Sequence, residues 1–194
     1  MSRPLAKRLL DVAVAAPLLL LVSPVFALVF VAYGGRPFYR ETRISHGRTF
    51  GLLKFRTLRR EVLARAGGHA RLLEADPANL TRLGRRVLKP WYLDELPQLW
   101  NILRGDISFV GPRPWPPQLV DEQRAQGITY RDEVPAGLTG LAQLSKGSEH
   151  RYADLDIEYI ERSRTLGSWA LVRYDLEILA RTAGVIARGE GLSY

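Results

Sequence analysis

An aspartate and a glutamate stand side by side at Asp94-Glu95, inside the run Tyr-Leu-Asp-Glu-Leu-Pro-Gln-Leu-Trp-Asn-Ile-Leu at 92–103. Adjacent carboxylates can attack as a nucleophile, move a proton or share a hard divalent cation. A structural role competes, because a carboxylate at a helix start satisfies free amides and suits the helix dipole. The cations around the pair in sequence argue for chemistry. Lys54 and Arg56 alternate along a strand and are expected side by side on one face. Lys89 precedes the carboxylates, and Arg113 is held between Pro112 and Pro114. A braced guanidinium suits two-point binding of phosphate, although a solvated surface position competes for each cation taken singly.

Several other chemistries are set aside. There are no cysteines, which excludes disulfides and thiolate metal sites. His46, His69 and His150 lie far apart in sequence, so no histidine metal cluster is expected. Neither a Walker loop nor a Gly-x-Gly-x-x-Gly is found. The 194 residues carry a net charge of +8, a balance that favours phospholipid, nucleic acid or phosphorylated substrates. No nucleic-acid module and no face of interleaved basic and aromatic residues is evident, so nucleic acid is not an expected partner.

The elements that must position these residues begin with an apolar run. No charge lies between Asp11 and Arg36, a stretch long enough for a helix to cross the hydrocarbon core. Three readings compete. The run is long for the h-region of a signal peptide. A spanning helix should show asymmetric flanking charge, yet Arg3, Lys7 and Arg8 precede it while Arg36, Arg40, Arg43 and Arg48 follow. A re-entrant helix-break-helix lets both ends stay cytoplasmic. Pro24 would break the helix, and the Ser23 hydroxyl would bond a freed carbonyl.

Gly34-Gly35 should end that segment, and 38–57 reads as a β-hairpin turning at Ser-His-Gly-Arg. Residues 57–88 read as basic and helical, with breaks at Gly67-Gly68 and Asp76-Pro77. Leu96, Leu99, Trp100 and Leu103 have helical spacing, and Pro97 fits only a first turn, so this helix should begin near Asp94. A short strand enters Gly111-Pro112-Arg113-Pro114, and 135–143 reads as a turn. The last third is helical. Its final helix repeats Trp169, Val172, Leu176, Leu179, Ala183 and Ile186 on one face, either as core or as a membrane-interface face. The expected class is α+β, mostly helical with a short β-hairpin. Residues 1–36 form the membrane hairpin, and 37–194 form a catalytic domain on the membrane surface with interfacial amphipathic helices.

Over nearly its whole length, and in order, the chain resembles the bacterial sugar transferases, the monotopic phosphoglycosyltransferases, in their small form. The motifs that carry the resemblance are Ser23-Pro24, Lys54-Phe55-Arg56-Thr57, Leu93 through Leu99, Gly105 through Pro114, Pro135 through Gln143, Leu155 through Tyr159, and the helix from Asp175 to Thr182. The resemblance implies a re-entrant hairpin broken at Ser23-Pro24. It also implies that Asp94 attacks the β-phosphorus of a UDP-sugar, that UMP leaves, and that a polyprenyl (undecaprenyl) phosphate then takes the phosphosugar. Glu95 is expected to help with magnesium and proton handling, with Asp94 as a second Mg2+ ligand. Lys54, Arg56, Lys89, Arg113, Gln143 and Asp156 are expected substrate and phosphate positions. The implied location is the cytoplasmic face of the inner membrane, among anionic lipids. A homodimer is allowed. The implied role is the first membrane step of polysaccharide or glycoconjugate assembly.

The chain departs from the family pattern at Lys89 (arginine in the family), Tyr92 (a small hydroxyl residue), Leu58 (methionine) and Leu141 (tryptophan). The segment from Pro114 to Pro135 is short. These changes bear on sugar choice and local contacts. A non-catalytic basic protein bound to anionic membrane is the alternative, since it needs only the hairpin and the charge.

Overall fold

The computed structural model describes residues 4–65, 70–145 and 152–188. The expected break at Gly67-Gly68 and two of the three histidines, His69 and His150, lie outside the described residues. The chain opens with α1 (Leu5–Leu21) and α2 (Ser23–Ala32), bent by 52° at Val22. Among the described residues no single helix is long and apolar enough to cross a membrane, but this bent pair together is. Pro24 cannot donate to the Leu20 carbonyl, and the Ser23 hydroxyl does so instead at 2.8 Å. The pair ends at Gly34 and Gly35, both with positive φ.

Strands β1 (Phe38–Ser45) and β2 (Arg48–Phe55) form an antiparallel ribbon in register from Phe38↔Phe55 to Ser45↔Arg48. His46 and Gly47 fill its two-residue turn with φ of 49° and 73°, the left-handed pair that matches strand twist. Short helices α3 (Arg60–Ala64) and α4 (Ala70–Leu73) follow, then a 3-10 turn at Pro77–Asn79 and a π-helical turn at Gly84–Leu88. The expected break at Asp76-Pro77 is present as a turn in which the Asp76 carboxylate accepts from the Ala78 amide.

Helix α5 (Gln98–Arg104) begins four residues later than expected. Tyr92 sits in the left-handed region, and Leu93–Glu95 form a separate 3-10 turn. Proline at 97 denies the amide that would fuse that turn to the helix. The buried face of α5 also differs from the spacing argument. Gln98, Leu99, Asn101 and Ile102 are buried, whereas Trp100 is half exposed.

Strand β3 (Ser108–Val110) pairs in parallel with β4 (Gly137–Thr139), inside the segment read as a turn. Three-residue strands carry too little pattern to be seen in sequence. Helices α6 (Pro117–Ala125) and α7 (Leu141–Leu144) flank them, and α8 (Tyr152–Thr165) and α9 (Ser168–Ala187) close the fold. The main core joins Ala15, Ile102, Ile107, Val110, Tyr159 and Ile178. In α9 the buried residues are Leu171, Asp175 and Ile178, so Trp169, Leu176 and Ile186 of the expected apolar face point outward.

Lys7 and Arg8, counted above as flanking charges, are instead bound to the domain. Buried Lys7 pairs with buried Asp175 and donates to the Val110 carbonyl and the Tyr159 hydroxyl at 3.0 Å each. Arg8 donates to the carbonyls of Ile102 and Leu103 at the end of α5. Asp11 accepts from Ser108 Oγ and the Phe109 amide. A buried charge is tolerated only when paired and hydrogen-bonded, which explains why this polar set converges on one spot.

Candidate active site

The 3-10 turn at Leu93–Glu95 rests against β2 and places the two carboxylates differently. Asp94 is only 7% exposed. Glu95 lines an open cavity of about 450 Å3 together with the charged residues Glu41, Arg43, Lys54, Arg113 and Glu122. Trp115, Leu72 and Leu119 add apolar lining. The start of α5 has no side-chain cap, so the carboxylates do not serve the capping role that competed for them.

Burial pushes the Asp94 carboxyl up to about 7, and the neighbouring charges of Glu95 and Glu74 add to that, while Lys54 and Lys89 oppose it. Glu74 behaves differently. Burial favours its neutral form, but hydrogen bonds from Lys89 and Thr57 outweigh burial and hold it below the usual carboxylate range. A buried aspartate poised near neutrality beside cations is the pattern expected of a functional carboxylate. Tyr92, directly before Asp94, has φ of 52°. A bulky residue there carries strain of order 1 kcal/mol, and such strain concentrates at functional sites.

The expected cations divide. Lys54 faces the cavity and stands 3.7 Å from Glu41. Arg113 lines the same cavity. Lys89 contacts Glu74 at 2.8 Å and acts on Asp94 through charge. Arg56 does not stand beside Lys54. Strand β2 ends at Phe55, and the Arg56 guanidinium instead stacks on the Tyr33 ring at 4.6 Å and donates to the Leu58 carbonyl.

Asp156 is also not on the cavity wall. It is buried and accepts from Arg131 at 2.6 Å. Burial raises its carboxyl, with Arg131 opposing. Gln143 is likewise absent from the cavity wall, and its buried side-chain amide has no hydrogen-bond partner among the described residues. The sequence reading missed Glu41, Arg43, Trp115 and Glu74. Glu41 and Lys54 lie on the same ribbon face through register, a relation visible only once the hairpin is paired.

Asp94 and Glu95 could hold a hard cation. Their mutual repulsion is a cause of the raised Asp94 carboxyl, and a cation would relieve it. No group of three metal-ligating side chains occurs among the described residues. Two adjacent carboxylates match an ion held by one or two carboxylates plus substrate phosphates, which is how magnesium usually binds.

The sequence pattern described as bacterial sugar transferase matches residues 2–189. The chain belongs to the bacterial sugar transferase family. It is 38% identical to the exopolysaccharide production protein ExoY of Rhizobium meliloti (strain 1021), over 96% of this chain and 88% of that protein. It is 37% identical to the UDP-glucose:undecaprenyl-phosphate glucose-1-phosphate transferase of Caulobacter vibrioides, over 92% of this chain and 68% of the relative. Identity to the undecaprenyl-phosphate galactose phosphotransferase of Salmonella typhimurium is 31%, over 95% of this chain but 41% of that longer protein. This bacterial sugar transferase is thus an enzyme of the sugar-phosphate transferase type, and the non-catalytic alternative gives way.

Proposed function

We propose that this sugar transferase moves a sugar-1-phosphate from a UDP-sugar to a polyprenyl phosphate through an adduct on Asp94. The observation that carries the reading is a buried carboxylate poised near neutrality, one residue from a cavity where Lys54, Arg43 and Arg113 stand among Glu41, Glu95 and Glu122. The named activities of the Caulobacter and Salmonella relatives support the substrate classes.

In the first half-reaction the Asp94 carboxylate attacks the β-phosphorus. A new P–O bond forms to Asp94, the bond to the α-phosphate oxygen breaks, and UMP departs with that electron pair. In the second, an oxygen of the polyprenyl phosphate attacks the same phosphorus. The aspartyl P–O bond breaks, Asp94 is again a carboxylate, and polyprenyl diphosphosugar leaves. An anionic nucleophile and a diphosphate repel, so fixed positive charge supplies most of the catalysis. Lys54 and Arg113 offer that charge to the diphosphate, and Arg113 can engage two oxygens at once. Magnesium held by Glu95 and Asp94 would neutralise the diphosphate further. The apolar lining at Trp115 suits the uracil ring.

We also place the hairpin in one leaflet, with the domain on the cytoplasmic face of the inner membrane among anionic lipids. Both ends of the helix pair attach to the same domain. Lys7 and Arg8 bind β3 and α5, while Tyr33 at the other end bonds Thr81 at 2.8 Å. The outward Trp169, Leu176 and Ile186 of α9 suit an interfacial helix. Magnesium, this location and a role in the first membrane step of polysaccharide assembly belong to the same proposal.

The test is UMP release by the protein in nanodiscs, with undecaprenyl phosphate, magnesium and a panel of UDP-sugars. UMP from one donor, with a phosphosugar on Asp94 seen by mass spectrometry and lost in Asp94→Asn, is the expected result. Retained turnover by Asp94→Asn would remove Asp94 as the nucleophile.

A further inference from the structure

Helix α6 lines the cavity described above, and its polar side chains divide into two sets. Asp121 accepts from Arg124 at 2.9 Å, Arg124 also donates to Asp132 at 2.8 Å, and Gln123 accepts from Arg131 at 3.2 Å. Those contacts tie the helix to the domain. The side chains of Gln118 and Glu122 make no hydrogen bond or ion pair among the described residues, and both line the cavity. They are four residues apart, so they are neighbours on one helix face.

The backbone under this pair is fixed. Val120 is buried, and Pro116 and Pro117 preset the entry to the helix. The Trp115 carbonyl accepts from the Ile44 amide of β1 at 2.9 Å. The pair is thus held on a rigid element yet spent on nothing among the described residues. Glu122 also carries the wrong sign for a diphosphate, since two anions repel. Its partner in an anionic donor must therefore be a neutral part rich in hydroxyls. The donor has two such parts, the ribose and the transferred sugar.

We infer that Glu122 and Gln118 grip the ribose of the donor nucleotide, with the Glu122 carboxylate accepting from the vicinal 2′- and 3′-hydroxyls. The inference rests on the reaction proposed above, with the uracil at Trp115. In a nucleotide the ribose joins base to phosphate. Arg113 and Trp115 stand two residues apart, about 7 Å of extended chain, and α6 begins just beyond. The single stretch 113–122 thus offers a guanidinium for phosphate, a ring for the base and a polar pair for the ribose. That continuity selects the ribose over the transferred sugar. A carboxylate suits a ribose diol because its two oxygens accept both hydroxyl protons. The Gln118 amide adds a donor and an acceptor. A site of this kind prefers a ribonucleotide to its deoxy form.

Product inhibition separates the nucleotide from the transferred sugar. The full chain in nanodiscs turns over a labelled UDP-sugar with undecaprenyl phosphate, and labelled lipid product is measured. UMP and dUMP, which differ by one hydroxyl, are compared as inhibitors. In the wild type, Ki for UMP should be at least about tenfold below that for dUMP. Glu122→Ala should cut that ratio to about twofold or less. The repulsion that the carboxylate exerts on phosphate acts on both inhibitors and cancels in the ratio. Gln118→Ala should raise Ki for UMP by about threefold or more. Equal wild-type Ki values would overturn the assignment, and so would a wild-type ratio kept by Glu122→Ala. A raised donor KM with both Ki values unmoved would also overturn it, and would give Glu122 to the transferred sugar. Absence of lipid product in the wild type with every UDP-sugar would instead defeat the underlying reaction. Glu122 is exposed, so its truncation opens no core. If that variant still failed to fold, the wild-type ratio would decide.

Discussion

Arg131 donates to Asp156 across 2.6 Å, and the same guanidinium holds the Arg113 carbonyl at 3.0 Å. Arg131 also lies 3.9 Å over the Trp115 ring. One buried ion pair therefore fixes the stretch that carries two cavity residues. Removing one member of such a pair leaves an uncompensated charge, so Asp156→Ala should cost about 3–5 kcal/mol of stability. Chemical denaturation measures it. A variant that keeps its stability but raises the donor KM would return Asp156 to the substrate.

The buried Asp94 carboxyl makes stability and rate run in opposite directions with pH. Its folded value, about 7, lies above the unfolded 3.8. The folded state then binds the proton more tightly, so the stabilising contribution is present in acid and is lost as pH rises toward the folded value. With divalent cations chelated, Asp94→Asn should melt above wild type at about pH 8, and that gap should close in acid. The wild-type rate should rise with pH through the same range as the carboxylate ionises, and Tm scans alongside single-turnover UMP release test both.

Lys89 and Glu74 tune that carboxylate with opposite signs. Replacing Glu74 by Gln removes a negative neighbour and should move the acid limb of the pH–rate profile to lower pH. Replacing Lys89 by Met removes a positive one, leaves Glu74 without a cation that it contacts, and should move the limb upward. Unmoved profiles in both would show that neither charge reaches Asp94.

At Gly137 a methyl group would meet the Gly111 amide nitrogen at 2.1 Å, backbone against backbone. Neither side can rotate away. Gly137→Ala should therefore cost about 3 kcal/mol or more, read as a fall in Tm or lost expression.

Topology can be read chemically, since the chain has no cysteine of its own. Single cysteines at Leu5 and Arg36 should both react with an impermeant thiol reagent from the cytoplasmic side alone. Labelling from opposite sides would sink the re-entrant arrangement.

The elements and the site were legible in sequence to different degrees. The break at Ser23-Pro24 and the hairpin are local matters of proline geometry and alternation, and the structure contains both, whereas the helix expected to begin near Asp94 starts at Gln98, after a separate 3-10 turn at Leu93–Glu95. Arg56 shows the limit. Strand alternation puts it beside Lys54 only while the strand lasts, and β2 stops one residue earlier. Lys7 shows another. A basic residue before an apolar run reads as a flanking charge, yet its partner Asp175 lies 168 residues along the chain.

What the sequence by itself determined is the chemistry on offer: two adjacent carboxylates, a cationic surround, no thiols, and an apolar run with a built-in break. Residue types and short-range backbone rules suffice for those. Only the tertiary structure decided which cations face the cavity, that Asp156 is held by Arg131, and that Asp94 is buried enough to titrate near neutrality. Those outcomes depend on desolvation and on charge pairs that only long-range packing brings together.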